Sequence, residues 1–228
     1  MTAVNIQVGG KTAPAVQLDE TEAEGLSKGE RTRERLLDLA YESVIAKGFA
    51  ATSIEELVEV AGITKSGFFY HFRDKNDLAL QMLERYFTND EAARRELARR
   101  ALELSDDPLH SYLIYLKLYA ELMDAVAHEL PGCIIATIAF QNRAFAPDVR
   151  RLNDEGVRAW RQASLDWLQR IAQRYAPRTD TNLETLADAG VAMAIGGFAI
   201  AKATGEASAV AAQMMAYREL VRLAFSPR

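Results

Sequence analysis

The sequence predicts an all-α protein of about nine helices, with a small N-terminal three-helix domain carrying a helix-turn-helix and a larger helical domain after it. Three observations carry this. Beyond residue 30, glycine and proline are sparse, while alanine, leucine, glutamate and arginine, all strong helix formers, are abundant. Apolar residues recur three and four positions apart along most of that length. Ser, Thr, Asp and Pro stand where helices should begin, and glycine where several should end. With 228 residues, 49% of them apolar, the chain can bury a sizeable core.

Residues 1–28 read as a tail. Gly9, Gly10, Pro14 and Gly25 interrupt any helical period, and within residues 1–27 Lys11 stands alone against Asp19, Glu20, Glu22 and Glu24. A first helix begins near Glu30, with Leu36, Leu37, Ala40 and Val44 on one face, and Gly48 ends it. Thr52, Ser53, Ile54 and Glu55 read as a capping box, in which the Thr52 hydroxyl accepts from the third helical amide and Glu55 reaches back. Ile54, Leu57, Val58 and Ala61 then give a short helix that Gly62 stops. Thr64 caps the next short helix, which runs through Tyr70. Two short helices joined by a glycine-containing turn are the helix-turn-helix pattern.

Asp74 and Asp77 open a long fourth helix reaching about Leu104. Asp106, Asp107 and Pro108 start another, to about Glu129. Pro131 and Gly132 start one ending near Arg143, and Pro147 one through Tyr175. After a loop from Pro177 to Asn182, an apolar helix spans Leu183 to Thr204, and a last helix runs from Glu206 to Phe225. The longest apolar run, Ala189 to Ala201, is shorter than a membrane span needs, so it reads as a buried helix. The domains divide at residues 29–75 and 76–228.

The stretch KSGFFYHF, Lys65 to Phe72, places an aromatic on nearly every face and a glycine inside a helix, where it costs about 1 kcal/mol against alanine. On a helical wheel Phe68 and Phe72 share the face that enters the core. Ser66, Gly67 and Tyr70 lie opposite, with Phe69 and Lys65 between the faces and His71 on the far flank. A hydroxyl, a bare backbone, a phenol and a lysine suit a helix laid in a DNA major groove. Thr52, Ser53, Thr64 and Lys75 stand at helix starts beside it, where backbone amides favour phosphate. The net charge of −5 speaks against nucleic acid only in total. Between residues 64 and 75 Lys65, Arg73 and Lys75 face Asp74 alone, and binding uses one face.

Gly48, Phe49, Thr52, Ser53 and Ile54, followed after the helix-turn-helix by Phe72, Lys75 and Leu78, resemble the N-terminal domain of TetR/AcrR-type transcriptional regulators over about residues 30–85. The family's tyrosine ahead of His-Phe is replaced here by Phe69, which leaves its phosphate contact to Tyr70. The resemblance implies a homodimer on near-palindromic double-stranded operator DNA, released by a small-molecule effector bound in the C-terminal domain. Repression is the commoner output in that family, and activation is the alternative.

In the C-terminal region Tyr112, Tyr115, Tyr119 and Met123 line one side of a helix, and Cys133, Thr137 and Gln141 recur on the next. With Trp160 they are the candidate lining of an effector pocket. Trp167 and Ile171, with Gly190, Met193, Gly197 and Ile200 of the apolar helix, are the candidate dimer face, by analogy with the family. His110 and His128 are too far apart along one helix to share an ion, and Asp124 with His128 suits a local hydrogen bond better than a metal. A single cysteine, Cys133, excludes an internal disulfide and fits a cytoplasmic protein. No phosphate loop, nucleophile elbow or kinase motif occurs, so an enzyme is not expected, nor a cofactor or resident metal. A helical protein–protein adaptor that keeps the helix-turn-helix as a scaffold is the competing reading.

Overall fold

The computed structural model describes residues 26–129, 132–178 and 181–225, so the tail reading lies almost wholly outside the described residues, as does Pro131. Among the described residues there are nine α-helices, one 3₁₀ turn and no strand. They are α1 (Lys28–Lys47), α2 (Ile54–Ala61), α3 (Lys65–His71), α4 (Lys75–Leu104), α5 (Pro108–Glu129), α6 (Ile134–Phe140), the 3₁₀ turn (Asn142–Ala144), α7 (Pro147–Ala172), α8 (Leu183–Thr204) and α9 (Ala209–Phe225).

Local chemistry explains the boundaries. Ser27 caps α1 in a capping box with Glu30, two residues ahead of the expected start. Gly48 ends it at φ 87°, a backbone state that only glycine adopts without strain. Gly62 ends α2 in the left-handed conformation, its amide bonded back to the helix. Asp74 accepts from the amides of Asn76 and Asp77, and Asp77 accepts from Arg73 N, which together cap α4. Asp107 accepts from the amides of Leu109 and His110 at the start of α5. α6 stops at Phe140 and continues only as the 3₁₀ turn, and α7 ends at Ala172, short of Tyr175.

The described chain forms two compact units. One holds the chain up to Ala93 together with Ile134–Asn153; the other holds Arg94–Cys133 and the chain from Asp154 on. α4 and α7 each run without a break from one unit into the other. The first unit packs Leu36, Leu37, Ile45, Phe68, Phe72 and Leu83 into a core shut off from solvent. Arg85 of α4 reaches across to α1, pairing with Glu34 at 2.7 Å and Asp38 at 2.6 Å. In the second unit Tyr112, Leu116, Leu168, Ile171, Met214, Tyr217 and Val221 form the core where α5, α7 and α9 meet.

The expectation of a buried α8 holds for one stripe only. Leu186, Ala187, Gly190, Gly197, Phe198 and Ala201 are buried. Just 28% of its most apolar 18-residue window is buried, although its length and composition match those of a membrane span. Gly190 and Gly197 of this stripe face α9, and Asp188 pairs with Arg161 of α7, while residues such as Ile200 stay exposed.

Candidate nucleic-acid interface

α3 presents the face predicted for DNA. Thr64 adopts an extended backbone and its hydroxyl accepts from Gly67 N, so the helix begins at Lys65. Phe68 and Phe72 anchor it, at 0% and 1% exposure. On the opposite side Tyr70 is 82% exposed and Phe69 52%. Ser66 is exposed and shares a hydrogen bond with Thr64. Gly67 has no internal reason to be glycine: a Cβ there would meet Thr64 and Ile63 no closer than 3.5 Å, an ordinary contact.

Several neighbours differ from expectation. Ser53, not Thr52, caps α2, accepting from Glu56 N. Thr52 is 2% exposed, and its hydroxyl is taken up by the Gly48 carbonyl at 3.1 Å and Ser43 Oγ at 2.9 Å. It therefore secures the turn between α1 and α2, and its side chain is not offered to a phosphate. Glu55 does not reach back to the cap but pairs with Lys65 at 2.5 Å, and this hydrogen bond holds its carboxyl below the usual range. Lys47 pairs in the same way with Glu56.

Lys75, the first residue of α4, is half-buried, with Nζ 4.3 Å from the Phe49 ring centroid and 3.5 Å from the Ala50 carbonyl. Burial first, and then Lys47, lowers its pKa. His71 is half-buried with its pKa lowered, by burial and then by Arg33, which favours a neutral ring. Its ring meets that of Tyr70 edge to face at 5.0 Å.

The candidate effector residues are divided between the two units. Tyr112, Tyr115, Tyr119, Met123 and Trp160 belong to the second unit, whereas Thr137 and Gln141 belong to the first. Gln141 covers Gly48, where a Cβ would lie 2.8 Å from its side-chain amide, so it secures a turn of the first unit. Cys133 is half-buried at the edge of the second. What sequence reasoning did not foresee is an aromatic stack joined to buried hydroxyls. Trp167 stacks on Tyr112 and Tyr115 at 5.2 and 5.9 Å, and Tyr115 on Tyr119 at 6.0 Å. Tyr112 OH lies 2.8 Å from Ser164 Oγ and 3.4 Å from Tyr217 OH. Burial pushes the Tyr112 phenol well up, so it stays protonated.

The candidate dimer face is also redistributed. Ile171 is fully buried within the subunit. A Cβ on Gly190 would sit 2.8 Å from the Tyr217 ring, and one on Gly197 2.8 Å from Val210 Cα. Both glycines thus serve the close approach of α8 to α9. Trp167 and Met193 are partly buried against the same core. Ile200 remains 42% exposed, with Met215, Leu220 and Leu223 on α9 at 38%, 41% and 44%. His128 Nδ1 bonds the Asp124 carbonyl at 2.8 Å, and no group of three potential metal ligands occurs among the described residues.

Residues 36–82 match the family of bacterial regulatory proteins of the tetR type. The HTH-type transcriptional regulator YvkB of Bacillus subtilis (strain 168), itself uncharacterized, is 24% identical over 153 residues, 67% of this chain and 74% of its own length. The HTH-type transcriptional repressor NemR of Escherichia coli (strain K12) is 24% identical over 129 residues, 56% of this chain and 62% of NemR. The fold is shared with a TetR-family transcriptional regulator from Agrobacterium tumefaciens, at a TM-score of 0.73 and 21% identity, over 85% of this chain and 98% of that one. Residues 36–82 thus carry a DNA-binding domain of the tetR type, and the chain as a whole is similar in sequence and fold to TetR/AcrR-type transcriptional regulators.

Proposed function

We propose that the protein is a ligand-responsive repressor, acting in the cytoplasm as a homodimer on a near-palindromic operator. The exposed face of α3 carries the reading, with Tyr70 82% exposed beside Ser66, Gly67 and Lys65. Anchored from behind by Phe68 and Phe72, this face can enter a major groove without any other element moving. Thr64, Ser53 and Lys75 stand at the starts of α3, α2 and α4, where amides and an ammonium meet phosphates. The uncovered apolar surface of α8 and α9 suits a second copy of the chain, since isologous pairing covers such a surface on both partners at once. Two reading heads then address half-sites one helical turn, about 34–36 Å, apart.

For the effector, the stacked Tyr112, Tyr115, Tyr119 and Trp167 supply a wall that favours a flat or apolar molecule. Its effect on DNA affinity equals its preference for one of two conformations. The relative NemR is named a repressor, which supports that sign for the output.

Selection from random duplex DNA tests this reading. The expected result is a short inverted repeat whose affinity falls steeply with salt. Absence of enrichment from folded, dimeric protein, both as isolated and after stripping of small molecules, would replace it with the adaptor reading.

A further inference from the structure

Phe145 closes the 3₁₀ turn, far along the chain from the reading head, yet its ring stacks on that of Phe49 with centroids 4.3 Å apart and planes 22° from parallel. Both rings are buried, at 4% and 6% exposure. The Lys75 ammonium lies over the same Phe49 ring at 4.3 Å and reaches the Ala50 carbonyl at 3.5 Å. On the neighbouring residue, Gln141 covers the bare Gly48. Thr52, three residues after Phe49, ties its hydroxyl back to the Gly48 carbonyl and its amide to the Phe49 carbonyl.

These contacts form one mechanical series. A lysine has four rotatable bonds and occupies one position only if something holds it. Here that something is a ring and a carbonyl on consecutive residues. The Phe49 ring is itself free to turn unless other groups pack it, and Phe145 stacks against it. The Gly48–Thr52 turn leads directly into the Ser53 cap of α2. Segment 134–153 groups with the reading head, whereas the sequence assigns it to the C-terminal domain.

We propose that Phe145 is a positioning residue for operator binding: acting through Phe49, it holds the Lys75 ammonium where a phosphate contact needs it. The inference rests on reading Lys75 as a phosphate contact. Phe145 touches no DNA. It acts through the ring that Lys75 lies over, and aromatic stacking with a cation over the ring is sensitive to orientation.

The test uses the full-length protein and the duplex chosen by selection, with affinity followed against salt at a temperature where circular dichroism shows every variant folded. Phe145→Leu keeps an apolar side chain and removes the stack. It is expected to weaken binding and to lower the slope of log affinity against log salt by about 0.9 for each chain bound, as Lys75→Ala should. The double variant should be no weaker than Lys75→Ala alone, because the two residues act in series. Phe145→Tyr, which restores a ring, should return the slope. Tyr70→Ala reports on the interface independently.

If Phe145→Leu leaves affinity and slope unchanged while Lys75→Ala and Tyr70→Ala lower affinity, the positioning proposal fails and the interface stands. If the Phe145 and Lys75 losses multiply in the double variant, Phe145 acts by another route and the proposal also fails. If Lys75→Ala and Tyr70→Ala change nothing, the interface reading falls and takes the proposal with it. Should Phe145→Leu unfold the chain, Phe145→Met at the same position supplies the same readout.

Discussion

At Gly67 the demands of folding and of DNA separate. Alanine fits there, since the added Cβ would make only ordinary contacts at 3.5 Å or more. Gly67→Ala should therefore stabilise the protein by about 0.5–1 kcal/mol through helix propensity. The same methyl group stands on the outward face and keeps the backbone from the groove, so operator affinity should fall by about tenfold. A thermal melt run beside a DNA titration checks both halves; a variant that melts lower, or binds as well as the parent, contradicts the argument. Glu55 gives a prediction of opposite sign. Its carboxylate neutralises Lys65 at 2.5 Å, beside the face proposed to meet DNA. Glu55→Gln should raise affinity for any duplex and steepen the salt slope, by up to about 0.9 for each chain bound. The sequence showed which way the aromatics of α3 face, because a wheel needs only the 3.6-residue period. It did not show whether Thr52 or Ser53 would cap α2: both are cap formers, and only the direction in which the chain leaves Gly48 decides which hydroxyl turns inward. The Lys65–Glu55 pair was hidden for a similar reason, since the angle between α2 and α3 creates it.

At the level of elements, most helix limits were legible because Pro, Gly and capping side chains mark them, and α8 matches its expected range of Leu183 to Thr204. Packing was less legible. Small residues on α8 suggested pairing with a second copy, but Gly197 serves the crossing with α9, where a Cβ would come within 2.8 Å of Val210 Cα. Because backbone gives way poorly, Gly197→Ala should lower stability by about 1–3 kcal/mol in chemical denaturation. The α1–α4 contact depends on Arg85, whose guanidinium sits between Glu34 and Asp38 with all three side chains 17–18% exposed. Arg85→Ala should cost about 2–4 kcal/mol at neutral pH, since it leaves the half-buried Asp38 carboxylate unpaired and Glu34 with Arg33 alone. Burial already raises the Asp38 carboxyl above its ordinary 3.8, with Arg85 opposing the shift. Without Arg85 it rises further, so the folded state binds a proton that the unfolded state releases until the pH nears 3.8. The stability gap between variant and parent should thus be widest near neutrality and narrow as pH falls toward 4; a gap that widens with acid would refute this. These partners belong to different helices, and no periodicity within either one announces them.

For the whole molecule, the proposed assembly rests on the uncovered side of α8 and α9. Ile200 and Leu223 are 42% and 44% exposed, so Ile200→Glu with Leu223→Glu leaves the subunit core intact. Sedimentation should show the parent at twice the 25.3 kDa chain mass and the double variant at the single mass, with unchanged helicity. That the chain is all-helical with a reading head at the N-terminal end was legible from capping and spacing. Which helices group together was not, because apolar stripes show that a face is buried without naming what buries it. The grouping of residues 134–153 with the head matters for exchanging parts between relatives. A graft that ends at the close of the helix-turn-helix, or anywhere along α4, transplants a head stripped of Phe145 and Gln141, which hold its first turn. A working exchange has two inserts and three seams, and the later insert is the one that a cut-and-paste designer, reading the sequence from left to right, would leave behind.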